Sequence, residues 1–336
     1  MNRFTKSLLV GLLEQENNVK AFFGGGFKPP TKGHFLAVKK ALENIDKHLK
    51  EGVVVSLTRV EPPLHPEGPE KIIKDFGVEP EELKENELID WYNHYKPNQE
   101  TTEGVFAPWA ITREDFESVN GHDIMFRPQS KEDSDIFNRL HLRGIKFKQT
   151  WKGLVYHMTS RGSRFNPMAG GDIGKDSPEW LYTTNKNMRE FIRKWGTMVK
   201  HDKYMKPIVS PKYKIYFELT EDCDINLLRE LEPWCSYLTM PGGDTLLQYI
   251  EEEQQHTDIN LKDKLHQDCP NRDEWDIVVQ FNPFKFNNRS FQIISQLSDI
   301  IQDSGEVGGE FKLDIFYILI NKMTTYEKEL VKCNIS

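Results

Sequence analysis

The sequence predicts a mixed α/β chain carrying a second, C-terminal α/β module. Three observations carry that expectation. The run "GVVVSLTRV" (residues 52–60) is β-branched and apolar, as a buried strand requires. "KEDSDIFNRLHLRG" (131–144) places Ile136, Phe137 and Leu140 on one helical face, with Gly144 as its stop. After about residue 207 the texture changes. "KYKIYFELT", "DIVVQF" and "LDIFYILI" then read as strands, and "NLLRELEPW" and "SFQIISQLSDII" as helices.

The remaining elements follow in order. Residues 1–17 read as an amphipathic helix, whose apolar run "SLLVGLL" is too short to span a bilayer. "VKAFFGGGF" is a strand running into glycines, and "TKGHFLAVKKALENIDKHL" a helix with Phe35, Val38 and Leu42 at helical spacing. "EPPLHPEGPE" (61–70) has four prolines and is a loop. "PEELKENELIDWYNHY" returns to helix, and residues 96–110 form a polar loop. "IKFKQTW" and "LVYHMT" are two strands, "SRGSRFNPMAGGDIG" a loop and "NKNMREFIRKWGTMV" a helix. The expected divisions are 1–50, 51–206 and 207–336.

With 336 residues the chain suits one large domain or two ordinary ones. Its net charge of −8 excludes a broad phosphate-backbone footprint, so no nucleic-acid partner is expected. The four cysteines include no C-x-x-C pair, so neither structural zinc nor a disulfide framework is expected. These features suggest a reducing, cytoplasmic setting without a membrane span.

Two stretches carry chemistry. In the first, Gly24, Gly25 and Gly26 let backbone approach a ligand. The following helix start offers N–H groups to phosphate, with Lys28 adding a charge and His34 a donor. "GGGFKPPTKGHF" resembles the first signature of cytidylyltransferase-like nucleotidyltransferases, with Thr31, Gly33 and His34 matching its T-x-G-H tetrad. That resemblance implies nucleotide transfer from a nucleoside triphosphate. It covers about residues 19–45, and the family's late signature finds only "TSRGSR" (159–164) as a counterpart.

The second stretch pairs the acidic helix start Glu132-Asp133 with His157 at a strand end. Glycosyl transfer needs a carboxylate to take the acceptor hydroxyl's proton, and a cation on the departing diphosphate. Asp133 suits the first role and His157, as a metal ligand, the second. Arg161 and Arg164 could pair with diphosphate oxygens. A structural reading competes: Ser130 and Asp133 also have capping-box spacing.

"GHD…EDSDIFNRLHLRGIKF…TW…VYHMTSRGSRF" resembles the C-terminal half of family 2-type glycosyltransferases of the GT-A fold, in the forms found in phages. The likeness covers roughly residues 47–213. It implies a mixed GT-A or Rossmann-like sheet flanked by helices, and a nucleotide-sugar donor with Mn2+ or Mg2+. It further implies Asp133 as base beside Glu132, His157 on the metal, and an acceptor side at Trp109, Gly121, His122 and Asp123. The acceptor segment is one glycine short of the family's G-G-x-D, and residues 1–50 supply no D-x-D. Nucleotide transfer is the second expectation. The third is a non-catalytic scaffold keeping the fold.

Overall fold

The structure is a computed structural model that describes residues 21–22, 41–64, 66–157, 164–165, 167–172 and 174–326. It is mixed α/β, with two mixed sheets flanked by helices. The chain divides into two compact units. One comprises residues 1–121, 136–182 and 200–208, the other residues 122–135, 183–199 and 209–336.

The first unit is built on β2 (Val53–Glu61), buried along its whole length. Its sheet runs β1 (Ala21–Phe22), β5 (Trp109–Ala110), β2, β6 (Lys146–Tyr156), β4 (Thr101–Thr102), with β3 (Lys71–Ile73) also on β2. β2 is parallel to β6 and β3, while β5 and β4 run antiparallel to their neighbours. Side chains alternate along a strand. Val53, Val55 and Leu57 therefore pack with Ala41 and Ile45 of a helical segment at 41–46. Val54 faces the other way, toward Ile136, Phe137 and Leu140. Helix α1 (Glu85–His94) contributes Leu88 and Trp91 to a smaller cluster around Phe76, and α2 (Arg113–Ser118) is capped by Thr112.

"IKFKQTW" and "LVYHMT" prove to be one strand rather than two. The pairing steps from Leu57↔Thr150 to Thr58↔Leu154, so residues 151–153 form a bulge instead of a turn. Gly153 sits where a Cβ would meet Leu57 Cδ2 at 2.5 Å, which explains the glycine. The loop expected at 96–110 also supplies β4 and β5. β1 does join this sheet, through β5, and runs in the direction of β2.

Helix α3 (Glu132–Leu142) ends at Gly144, whose φ is +79°. Helix α4 (Pro178–Trp195) begins earlier than its apolar pattern suggested and ends at Gly196, with φ +70°.

The second unit orders its strands β11 (Gly309–Leu313), β12 (Phe316–Ile320), β10 (Ile277–Phe281), β7 (Ile215–Leu219), β8 (Tyr237–Thr239), β9 (Leu265–His266). β10, β7, β8 and β9 are parallel, and the β11–β12 hairpin closes the edge. Ile215, Phe217 and Leu219 face a core built with α5 (Ile225–Leu231), α6 (Gly243–Glu253), α7 (Asn288–Ser295) and α8 (Leu297–Ser304). α6, β8 and β11 carried no distinct sequence pattern. "LDIFYILI" divides at Asp314, where φ is +55°, into the end of β11 and β12.

Candidate functional site: a strained acidic turn

Glu132 and Asp133 open α3. The helix does not start in the capping-box manner. Asp135 N–H donates to Lys131 O at 2.9 Å, so Lys131 holds the cap position and Ser130 precedes it. Ser130 and Lys131 have φ of +80° and +75°. Two successive residues with side chains in the left-handed region cost about 1–2 kcal/mol each, because Cβ crowds the following carbonyl.

Three side chains of α4 hold this turn. Asn187 Nδ2 donates to the carbonyls of Phe126 (2.7 Å), Gln129 (2.6 Å) and Ser130 (3.1 Å). Trp195 Nε1 donates to Asp135 at 2.9 Å. Lys194 Nζ lies 2.7 Å from both Asp123 and Asp135, joining the two ends of the segment. Asn187 shares its helix face with Phe191 and Trp195, and all three are fully buried.

The turn leaves Glu132 short of partners. Its Oε2 is buried and has no hydrogen-bond partner among the described residues. Burial, reinforced by the charge of Asp133, raises the Glu132 carboxyl above the usual glutamate value. Backbone N–H groups and Lys131 pull the other way and lose. Burial likewise lowers the Lys131 ammonium. Asp133 itself is half-buried.

His157 lies in the first unit, at the end of β6. Its Nδ1 is 2.8 Å from Oε1 of Glu61, the last residue of β2. Glu61 is 1% exposed. Burial alone would raise its carboxyl. The His157 hydrogen bond and the Arg59 and Lys71 charges outweigh that and bring it down to about 2. An ionised carboxylate only accepts, so Nδ1 carries the proton. Arg59 Nη1 donates to Oε1 at 2.8 Å, and Lys71 Nζ stands 3.2 Å from Oε2, off the line of a hydrogen bond. Arg59 also stacks on Phe106, 3.4 Å from the ring centroid.

The other expected residues are distributed as follows. Trp109 is buried against Phe137, ring centroids 5.4 Å apart. Gly121 has φ +65°, and a Cβ there would meet the Phe116 ring at 2.8 Å. His122 is exposed. Asp123 is buried, accepting from Met125 N–H at 3.0 Å besides its Lys194 bond. Arg164 donates to Asp176 at 2.5 Å and lies over Trp180. Gly24, Gly25, Gly26, Lys28, Thr31, Gly33, His34 and Arg161 fall outside the described residues. Glu132, Asp133 and Asp123 thus share the second unit, whereas His157, Trp109 and Gly121 belong to the first.

Sequence reasoning missed Glu61 and Asn187. Glu61 stood at the boundary between strand and proline-rich loop. Asn187 was findable: a polar residue four positions before Phe191, on a core-facing stripe, has to have a buried partner.

No protein-family model matches the chain, and no curated protein matches it.

Among the described residues no three His, Cys, Asp or Glu side chains converge as a structural zinc site would need. His157 has its Nδ1 on Glu61, and a single histidine does not by itself make a metal site. Among the same residues no helix is long and apolar enough to cross a membrane.

Proposed function

We propose that the chain acts as an inverting glycosyltransferase, moving a sugar from a nucleotide-sugar donor to a hydroxyl acceptor on a GT-A-like scaffold. The observation that carries this reading is the Glu132–Asp133 pair, delivered by a strained and clamped turn. Strain of this kind concentrates where function over-determines the backbone. Two adjacent carboxyl groups, one pushed toward its neutral form, are also the equipment of acid–base chemistry.

In the proposed step Asp133 accepts the proton of the acceptor hydroxyl. The acceptor oxygen forms a bond to the anomeric carbon from the face opposite the leaving group. The bond from that carbon to the diphosphate oxygen breaks, and the nucleoside diphosphate departs with the electron pair. Mn2+ or Mg2+ would enter with the donor's diphosphate. Asp123, bonded to Lys194, belongs to the frame of the acceptor side rather than to its contact surface.

The test is nucleoside diphosphate release from a panel of UDP-, GDP- and dTDP-sugars with added acceptors. Release by the wild type, reduced about 10²–10⁴-fold in Asp133→Asn with donor affinity unchanged, is the expected result. Full activity in that variant removes Asp133 from the mechanism.

A second reading, nucleotide transfer, draws support from the T-x-G-H tetrad alone. It predicts pyrophosphate release from a nucleoside triphosphate, lost in His34→Ala. Failure of both donor classes to bind at millimolar concentration favours a non-catalytic scaffold.

A further inference from the structure

The Glu132–Asp133 turn is an unfavourable piece of backbone, and something has to hold it. Three carbonyls of the segment leading into it, those of Phe126, Gln129 and Ser130, converge on one side chain, Asn187. A carboxamide has two N–H bonds. Contacts at 2.7, 2.6 and 3.1 Å therefore amount to two full hydrogen bonds and one shared one. Gln129 and Ser130 are half-buried, while Asn187 is wholly buried and so is its bond to Phe126. Its orientation is also fixed by elimination, since the opposite setting would aim Oδ1 at three carbonyl oxygens. Lys194 and Trp195 fix the flanks, at Asp123 and Asp135. Of these three α4 side chains it is Asn187 that bonds the carbonyl of Ser130, where the left-handed conformation begins.

We propose that Asn187 is the positioning residue of the Glu132–Asp133 pair, holding the strained turn so that both carboxyl groups keep the direction that proton removal from an acceptor hydroxyl requires. This role rests on the glycosyl-transfer reading. Asn187 touches neither donor nor acceptor. It acts through the backbone of residues 126–130, and misplacement by about 1 Å at such a site costs on the order of 10²-fold in rate.

The experiment uses the full chain with Asn187→Ala, reading backbone amide exchange and nucleoside diphosphate release in the same preparations. Exchange at Ser130 to Asp133 is expected to rise at least tenfold, while exchange in β7 of the same unit stays unchanged. The kcat is expected to fall about 10²-fold with donor KM within about threefold of wild type. Should Asn187→Ala not fold, the triple variant with Ser130→Gly and Lys131→Gly replaces it. Glycine takes the left-handed conformation without the Cβ clash, so folding returns while turnover stays low. Wild-type exchange at the turn in Asn187→Ala overturns the proposal. So does wild-type kcat once exchange has risen. A wild type that turns over no sugar nucleotide overturns the transfer reading instead, and exchange alone then decides whether Asn187 holds the turn.

Discussion

Glu61 and Glu132 are both glutamates at the end of a secondary-structure element, and their surroundings treat them in opposite ways. Glu61, at the end of β2, is deeply buried yet surrounded by Arg59, Lys71 and the His157 imidazole, so its carboxyl is held down to about 2. Glu132, at the start of α3, is less surrounded by cations: among the described residues each of the two glutamates keeps one oxygen without a hydrogen-bond partner, but burial and the charge of Asp133 raise the Glu132 carboxyl. The neighbouring charges decide the sign, because burial pushes both carboxyls upward: Arg59 and Lys71 lower Glu61, whereas Asp133 adds to the rise at Glu132. A carboxylate held among cations, such as Glu61, favours stability. A carboxyl raised by burial and a like charge on strained backbone costs stability, which is the pattern expected where function sets the geometry.

The largest expected effect on stability is Glu61→Gln. It leaves Arg59 and Lys71 facing a neutral amide, and losing one partner of a buried pair costs roughly 3–5 kcal/mol. Glu70, with Arg59 at 3.9 Å and Lys71 at 3.8 Å, offsets part of that, so about 3 kcal/mol is expected from denaturant unfolding at pH 7.

The pH dependence of the two sites has opposite sign. The folded-state value of Glu61 lies below its ordinary 4.5, so its contribution is complete above 4.5 and lost as pH falls toward 2. The stability gap between wild type and Glu61→Gln should therefore close across that window. The folded-state value of Glu132 lies above its ordinary 4.5, so it costs stability as pH rises past 4.5. Glu132→Gln should gain on wild type across that rise. Parallel gaps for the two variants would show that their environments do not differ as described.

The smallest effect is Ser130→Gly, expected to stabilise the chain by about 1 kcal/mol by relieving the left-handed backbone at φ +80°. A destabilised variant would mean that the turn is not strained.

The legible parts of the chain were those whose composition or period matches their burial. β2 was readable as a β-branched apolar run that is buried throughout, and the apolar face of α3 because Ile136, Phe137 and Leu140 recur at helical spacing. β8 and β9 were not, since strands of three and two residues carry no period at all. In the candidate site, the Glu132–Asp133 pair was readable as a helix start. The left-handed backbone of Ser130 and Lys131 was not, because neither is a glycine and the force holding them comes from Asn187, more than fifty residues away in sequence. The Glu61–His157 bond was hidden for a similar reason. Parallel pairing of β2 with β6 joins residues 96 positions apart.

Turnover of Asp133→Asn and Glu61→Gln, measured side by side well below the melting temperature of both, tests the comparison most directly. The account predicts that Asp133→Asn loses nucleoside diphosphate release without losing stability, while Glu61→Gln loses stability and keeps its turnover. Undiminished release by Asp133→Asn, with loss of 10-fold or more in a fully folded Glu61→Gln, would contradict it and move the reacting centre to His157.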